Sequence, residues 1–393
     1  MKYFFKKRPW VSMRPEKEAP LGNYAERVET HRAAFVKALE DFPELRYLLR
    51  EATGETIAEL YDWLYEHRDT LSPDTAIVEG TDPETATGLS DKNARLVICT
   101  VDLSHIRHLN TMLNRINETL CDNGILLCHS RTSGYQRSLI LKKYPGLWGR
   151  FLCSLHFLWH RAMARLKTTR WLYMWVTKGK NRSFPRVEIL GRMYRAGFSV
   201  LYERFFDGKF VLVVQKSKAP IWDDDPTNGL LAKLPRVGYN GNKIGVYKIR
   251  TMYPYSEYLQ QYMYEVHGLA EGGKFENDFR VNQIGRRIRG TWIDELPMII
   301  NLLKGQLKLV GVRPLSKQYL SLYTPEMQQL HIGVKPGLLP PFYYEKQTPQ
   351  TIEEVQASEQ KYIEAWHKHP FATDWHYFWG IMGNILFKHK RSK

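Results

Sequence analysis

The sequence predicts an α/β protein in two folded parts: an incomplete sheet-and-helix unit, then a mainly helical α+β unit. Three observations predict this. Short β-branched runs alternate with helical periodicity between about residues 76 and 218. Ala219–Gly229 (APIWDDDPTNG), rich in Pro, Asp and Gly, interrupts that pattern and marks a boundary. Beyond it, residues 234–345 are dense in charged and glycine-containing motifs. The expected domains are therefore 1–75, 76–218 and 219–393.

Composition sets the outer limits. The 393 residues are 43% hydrophobic and 25% charged, enough for two or three cores and too apolar for global disorder. No run approaches the roughly 18 apolar residues of a spanning helix; Phe210–Val214 and Met298–Leu303 read as core. Met1–Trp10 is basic and aromatic without an apolar h-region, so no secretory signal is expected. Cys99, Cys121, Cys128 and Cys153 form no CxxC pair, which predicts reduced thiols and no zinc site.

Asn23–Leu39 and Thr56–Arg68 carry apolar residues at i, i+3, i+4 spacing, and Thr56 with Glu59 has the form of a capping box. Both predict helices. Leu96–Val101 (LVICTV) predicts a buried strand, Leu109–Leu120 a helix, Asp122-Asn123-Gly124 a turn and Ile125–Cys128 another strand. Val187–Ala196 predicts a helix ended by Gly197, and Phe198–Glu203 and Phe210–Lys216 a hairpin around Asp207-Gly208. With GRMYRAGF at Gly191–Phe198 before that hairpin, the order resembles the C-terminal half of a class I S-adenosylmethionine methyltransferase. The strand–GxGxxG–helix loop that would cradle the nucleotide is absent. The expectation is an incomplete Rossmann-like scaffold.

The net charge of +16 is local. Between Asp122 and Glu188 there is no acid, while thirteen Lys and Arg occur. Such a stretch points to a polyanionic surface. Within it, Trp148–Val176 places Trp148, Phe151, Leu155, Trp159 and Met163 at helical spacing, with Arg150, Arg161, Arg165 and Lys167 around the remainder. An interfacial membrane helix has this pattern; so does an amphipathic helix packed on its own domain with a solvated basic face. The aromatic content favours membrane contact through Trp148, Trp159, Arg161, Arg165, Trp171 and Trp175, and disfavours nucleic acid. The basic C-terminus, with Lys388, Lys390, Arg391 and Lys393, would add to it.

The chemistry is concentrated further on. Asn240-Gly241 predicts a tight hairpin whose return strand delivers Lys248 and Arg250 to one face. Asp294-Glu295 lies between Arg286, Arg287 and Arg289 on one side and Arg313 on the other. An isolated acid followed by Pro297 is commonly just a helix cap. Among so many cations, the carboxylate is expected to stay ionised and to be able to coordinate a divalent metal, while the arginines suit phosphates. Together they form a set fitted to phosphoryl transfer.

These residues closely resemble the bacterial sugar transferase family, the monotopic phosphoglycosyl transferases that start capsule, O-antigen and glycoprotein glycan assembly. The resemblance runs through KIRTM (Lys248–Met252), NDFRVNQIGRRIR (Asn277–Arg289), WIDELPM (Trp292–Met298), NLLKGQLKLVGVRP (Asn301–Pro314) and KPG (Lys335–Gly337). It implies that Asp294 attacks the β-phosphate of a UDP-sugar and that polyprenyl phosphate then takes the phosphosugar. It implies that Glu295 holds Mg²⁺ (or Mn²⁺), and that Arg289, Arg313, Lys248 and Arg250 bind phosphates. It also implies a peripheral place on the cytoplasmic face of the bacterial inner membrane. A second copy of the chain and downstream glycosyltransferases are partners it leaves open, and a non-catalytic assembly protein is the alternative function.

Three departures from the family pattern stand out. The re-entrant helix expected before Arg236 is missing, since Ala219–Leu234 is polar, and Trp148–Val176 is the expected substitute. Val312 stands for the proline of V-G-P-R-P and Trp292 for a small residue, both expected to reshape the pocket; Met298 stands for glutamine.

Overall fold

In the computed structural model, the described residues are 35–42, 71–87, 93–166, 168–206, 208–223, 229–259, 278–345 and 351–388, with isolated positions 33, 66, 262 and 349. The expected helix Thr56–Arg68 with its capping box lies outside them apart from Glu66, as do Lys167, Lys390, Arg391 and Lys393. The chain forms two compact units, residues 1–228 with 253–268, and 229–252 with 269–393.

The first unit is built on a five-stranded sheet ordered β1-β2-β3-β5-β4. The strands are β1 (Thr75–Val78), β2 (Ala94–Cys99), β3 (Leu120–Arg131), β4 (Phe198–Phe206) and β5 (Lys209–Lys216). The first three are parallel, and the β4–β5 hairpin adds antiparallel to β3. The expected turn at Asp122-Asn123-Gly124 is a loop inside the ladder. Leu120 pairs with Ala94 and Ile125 with Leu96, so the intervening residues have no partner on β2, and Asn123 takes a left-handed φ of 63°.

Period-two burial puts Leu96, Ile98, Ile125, Leu127 and Val213 on one face, where Phe35 stacks on Tyr202 at 4.8 Å. Two helices complete the frame: α1 (Leu109–Thr119), which buries Met112, Leu113 and Ile116, and α5 (Arg186–Arg195), which is buried from Val187 to Arg195. Gly197 ends α5 at φ 85°, where a Cβ would lie 2.1 Å from the Lys218 carbonyl oxygen. Residues Tyr253–Leu259 return to this unit. The Tyr255 carbonyl sits where a Cβ on Gly191 would be, and the Arg192 guanidinium lies 4.1 Å from the Tyr255 ring centre.

Between β3 and α5 the acid-free segment forms α2 (Ser133–Lys143), α3 (Leu147–Phe157), a π-helical turn (Leu158–Met163) and α4 (Arg170–Thr177). The continuous helix expected over Trp148–Val176 is therefore broken. The membrane contacts expected of Arg161 and Arg165 are corrected as well. Arg161 is buried and donates to the Ser183 carbonyl at 2.8 Å, and both it and Arg165 pair with Glu188, at 3.3 and 2.7 Å. Glu188 is fully buried and needs cations to stay charged. Burial alone would raise its pKa, but Arg165, Arg192 and Arg161 hold the carboxyl at about 2. Trp159 is half-buried too, packed edge-on to Tyr173 at 6.0 Å, so it joins α4 to the π turn instead of facing outward.

In the second unit, β6 (Leu231–Val237) and β7 (Lys243–Ile249) form the hairpin that Asn240-Gly241 predicts. Both turn residues have positive φ, 54° and 74°. Next come α6 (Gln283–Arg289), a 3-10 turn (Ile293–Met298), α7 (Ile299–Leu303), and the parallel pair β8 (Lys308–Val310) and β9 (Gly337–Leu339), with α8 (Pro325–Ile332) between them. Two long helices, α9 (Ile352–Lys368) and α10 (Pro370–Lys388), close the unit. Its core includes Val310, Val312, Phe342, Tyr362, Ile363 and Ile381. The glycine of KPG has a steric reason: a Cβ on Gly337 would lie 2.1 Å from the Gly311 amide nitrogen. Val312 and Met298 are both buried in cores.

Candidate functional site

The site lies within the second unit, where the 3-10 turn carrying Asp294 and Glu295 lies against β7. Trp292 precedes the turn at a left-handed φ of 63°, its ring 4.4 Å from that of Tyr343. A non-glycine residue holds that conformation only where packing fixes it. The motif's tryptophan thus sets the entry angle of the dyad. Asp294 is not the cap. It is inside the turn and buried, and its Oδ1 accepts no hydrogen bond.

Asn301 fixes the turn to the hairpin. Fully buried in α7, it accepts from the Tyr247 amide at 3.0 Å and donates to the Gly245 carbonyl at 2.7 Å and to Gln306 Oε1 at 2.8 Å. This bonding places β7 so that Lys248 Nζ lies 2.6 Å from Glu295 Oε1. On the other side, the α6 cap brings Arg289 in. Asn282 accepts from the Gly285 amide, a Cβ on Gly285 would lie 2.1 Å from the Thr251 carbonyl, and Arg289 Nε donates to Thr251 Oγ1 at 2.8 Å.

Burial and charge oppose each other at the dyad. Burial pushes the Asp294 carboxyl above its ordinary value. Lys248 and Arg289 oppose this, and the neighbouring Glu295 adds to it. The cations ringing the dyad do not cancel desolvation. Burial likewise lowers Arg289, while Asp294 and Asp278 raise it.

Of the expected site residues, Asp294, Glu295, Lys248 and Arg289 act on one another. The structure gives the other two cations different surroundings. Arg250 Nε donates to the Gly229 carbonyl at 3.2 Å. Arg313 is exposed, its amide donates to Glu359 Oε1 at 3.2 Å, and its charge bears on Arg236. Asn301 and Thr251 stood inside quoted motifs but were given no role. A buried asparagine in an otherwise apolar helix run, and a threonine after a basic pair, were the available signals.

Residues 217–388 match the family model described as bacterial sugar transferase. This segment belongs to the bacterial sugar transferase family. An uncharacterized sugar transferase, EpsL, of Bacillus subtilis is 39% identical over 106 residues, 27% of this chain and 46% of that protein. The galactosyl transferase CpsE of Streptococcus agalactiae is 34% identical over 134 residues, 33% of this chain and 29% of it. The undecaprenyl-phosphate galactose phosphotransferase of Salmonella typhimurium is 34% identical over 108 residues, 26% of this chain and 22% of it. The chain thus spans less than half the length of each of these relatives. The sugar transferase segment contains Lys248, Arg289, Asp294 and Glu295, and it excludes the first unit's sheet up to Lys216.

Proposed function

We propose that the chain is a phosphoglycosyl transferase that moves a phosphosugar from a UDP-sugar to polyprenyl phosphate, giving UMP and a polyprenyl-diphosphosugar. The observation that carries this reading is the buried Asp294 carboxylate, one oxygen unpartnered, with the charges of Lys248 and Arg289 bearing on it inside a sugar transferase segment. The relative whose name specifies phosphotransfer to undecaprenyl phosphate supports the choice of acceptor.

In this reading Asp294 is the nucleophile. Its oxygen bonds to the β-phosphorus, the bond from that phosphorus to the bridging oxygen breaks, and UMP leaves with the electron pair. An oxygen of polyprenyl phosphate then attacks the same phosphorus and frees the carboxylate. Lys248 and Arg289 lessen the repulsion between the carboxylate and the diphosphate. The residues present fit Mg²⁺ or Mn²⁺. One or two carboxylates suffice when the substrate's phosphates supply the remaining ligands, and Asp294 Oδ1 accepts no hydrogen bond. Glu295 would hold the ion, which when bound neutralises diphosphate charge.

The first unit is read as a Rossmann-like scaffold. Its three parallel strands closed by an antiparallel hairpin support that reading. No described helix is long and apolar enough to cross a membrane. A peripheral position on the inner face of the cytoplasmic membrane suits a lipid-linked acceptor, and the product would start glycan assembly. The non-catalytic alternative is disfavoured because both carboxylates and both neighbouring cations are in place.

The test is UMP release from a panel of UDP-sugars with polyprenyl phosphate and Mg²⁺. Asp294→Asn should lower release by on the order of a thousandfold or more with circular dichroism unchanged. Near-normal release by that variant would defeat the proposal.

A further inference from the structure

Thirteen cations occur between Asp122 and Glu188, and the fold sorts them. Arg161 and Arg165 turn inward to Glu188, Arg186 pairs with Glu203, and Arg182 is buried against the Ile106 carbonyl. Arg131 pairs with Asp102. Arg137, Lys142, Lys143, Arg150, Arg170, Lys178 and Lys180 remain exposed, with no acid in this stretch of sequence to neutralise them.

The same segment leaves large apolar side chains in water. Trp148 is 73% exposed, Trp171 68% and Trp175 76%, and Leu147, Phe151, Leu155 and Leu158 are exposed beside them in sequence. Trp148 and Phe151 share a face of α3, ring to ring at 5.9 Å, and Trp171 and Trp175 stand one turn apart on α4. The π-helical turn that continues α3 packs on α4 through Trp159, Met163, Tyr173 and Met174, and so ties the two helices together. Next to Trp171, a cavity of about 330 Å³ is lined by Arg107, His108, Arg170, Trp171 and Met174.

We propose that α3 and α4 form a docking surface for an anionic lipid bilayer, with Trp148, Trp171 and Trp175 entering the headgroup–acyl boundary and Arg107 and Arg170 receiving a lipid phosphate. Charge complementarity commits the surface to this occupant. Exposed tryptophans in a stretch of sequence that carries cations and no acid match a layer that is apolar inside and negative outside. A solvent-facing helix has no use for the tryptophans, and an apolar protein partner has no use for so many unpaired cations. This surface belongs to the first unit, and its assignment is independent of the chemistry proposed for Asp294.

The experiment is flotation of the full chain with vesicles of phosphatidylcholine alone and of phosphatidylcholine with phosphatidylglycerol. The wild type should float with the anionic vesicles and far less with the neutral ones. Trp148→Glu/Trp171→Glu/Trp175→Glu should lower partitioning about tenfold or more. Arg107→Glu/Arg170→Glu should weaken the preference for phosphatidylglycerol while leaving residual binding. Because these side chains are exposed, circular dichroism and UMP release from soluble UDP-sugar should match the wild type in both variants. Loss of UMP release in the wild type would count against Asp294 chemistry alone. Equal flotation on both vesicle types, equal flotation of wild type and tryptophan variant, or a wild-type dimer that the tryptophan variant dissolves without any vesicle binding would each overturn the proposal.

Discussion

The ammonium of Lys248 lies 2.6 Å from Glu295 Oε1, one residue from the buried carboxylate of Asp294. One cation on β7 thereby serves two acids. It pairs with the first and holds down the pKa of the second against burial and against the first.

That arrangement fixes the sign of two substitutions. Only ionised Asp294 is a nucleophile, so UMP release should fall as pH drops through a value above that of an ordinary aspartate. Lys248→Met removes a charge that lowers the Asp294 pKa and should move the acid limb of the profile to higher pH. Glu295→Gln removes a charge that raises it and should move the limb to lower pH. Donor kcat/KM measured against pH reads both directions; shifts of the same sign would break the assignment.

Asn301 should matter for stability as well as rate. Asn301→Ala loses three hydrogen bonds, two of which join α7 to β7. Leaving the Tyr247 amide and Gly245 carbonyl without this partner should cost about 2–4 kcal/mol, read by urea unfolding. Donor turnover should fall with it, since β7 carries Lys248.

Gly285→Ala tests the placement of Arg289. Its Cβ would collide with the Thr251 carbonyl at 2.1 Å, so α6 must move away from the residue that accepts from Arg289. A loss in turnover on the order of ten- to a hundredfold is expected, with little change in circular dichroism. An unchanged rate would show that Arg289 is not held at the site by this contact.

The first unit should be acid-sensitive. Burial holds the His129 imidazole at about 4, against its ordinary 6.5. The folded state therefore refuses a proton that the unfolded chain accepts. Stability is fully present above about pH 6.5 and declines as pH falls toward 4, by roughly 3 kcal/mol from this residue. His129→Gln should flatten that part of the stability–pH curve.

Local rules carried most of the fold. β-branched runs gave four of the five strands of the first sheet, all but β1, Asn240-Gly241 the hairpin, and Gly197 the end of α5, because each depends on backbone preference within a few residues. The motifs likewise delivered Asp294, Glu295, Lys248 and Arg289. What stayed hidden depends on distant partners. Arg161 and Arg165 looked like a solvated basic face because Glu188, more than twenty residues on, is what draws them inward. The return of Tyr253–Leu259 to α5 rests on a tyrosine meeting Gly191 and Arg192, which no periodicity reports. The pKa of Asp294 also follows burial, which the number of nearby cations in the sequence does not report.

The central claim is that Asp294 carries the phosphosugar between donor and acceptor. Incubation with a UDP-sugar in the absence of polyprenyl phosphate, followed by acid quench and peptide mass spectrometry, tests it most directly. The account predicts one phosphosugar on the peptide containing Asp294, its removal on adding polyprenyl phosphate, and its absence in Asp294→Asn. UMP release with no adduct on any peptide, or an adduct that persists in Asp294→Asn, would contradict it.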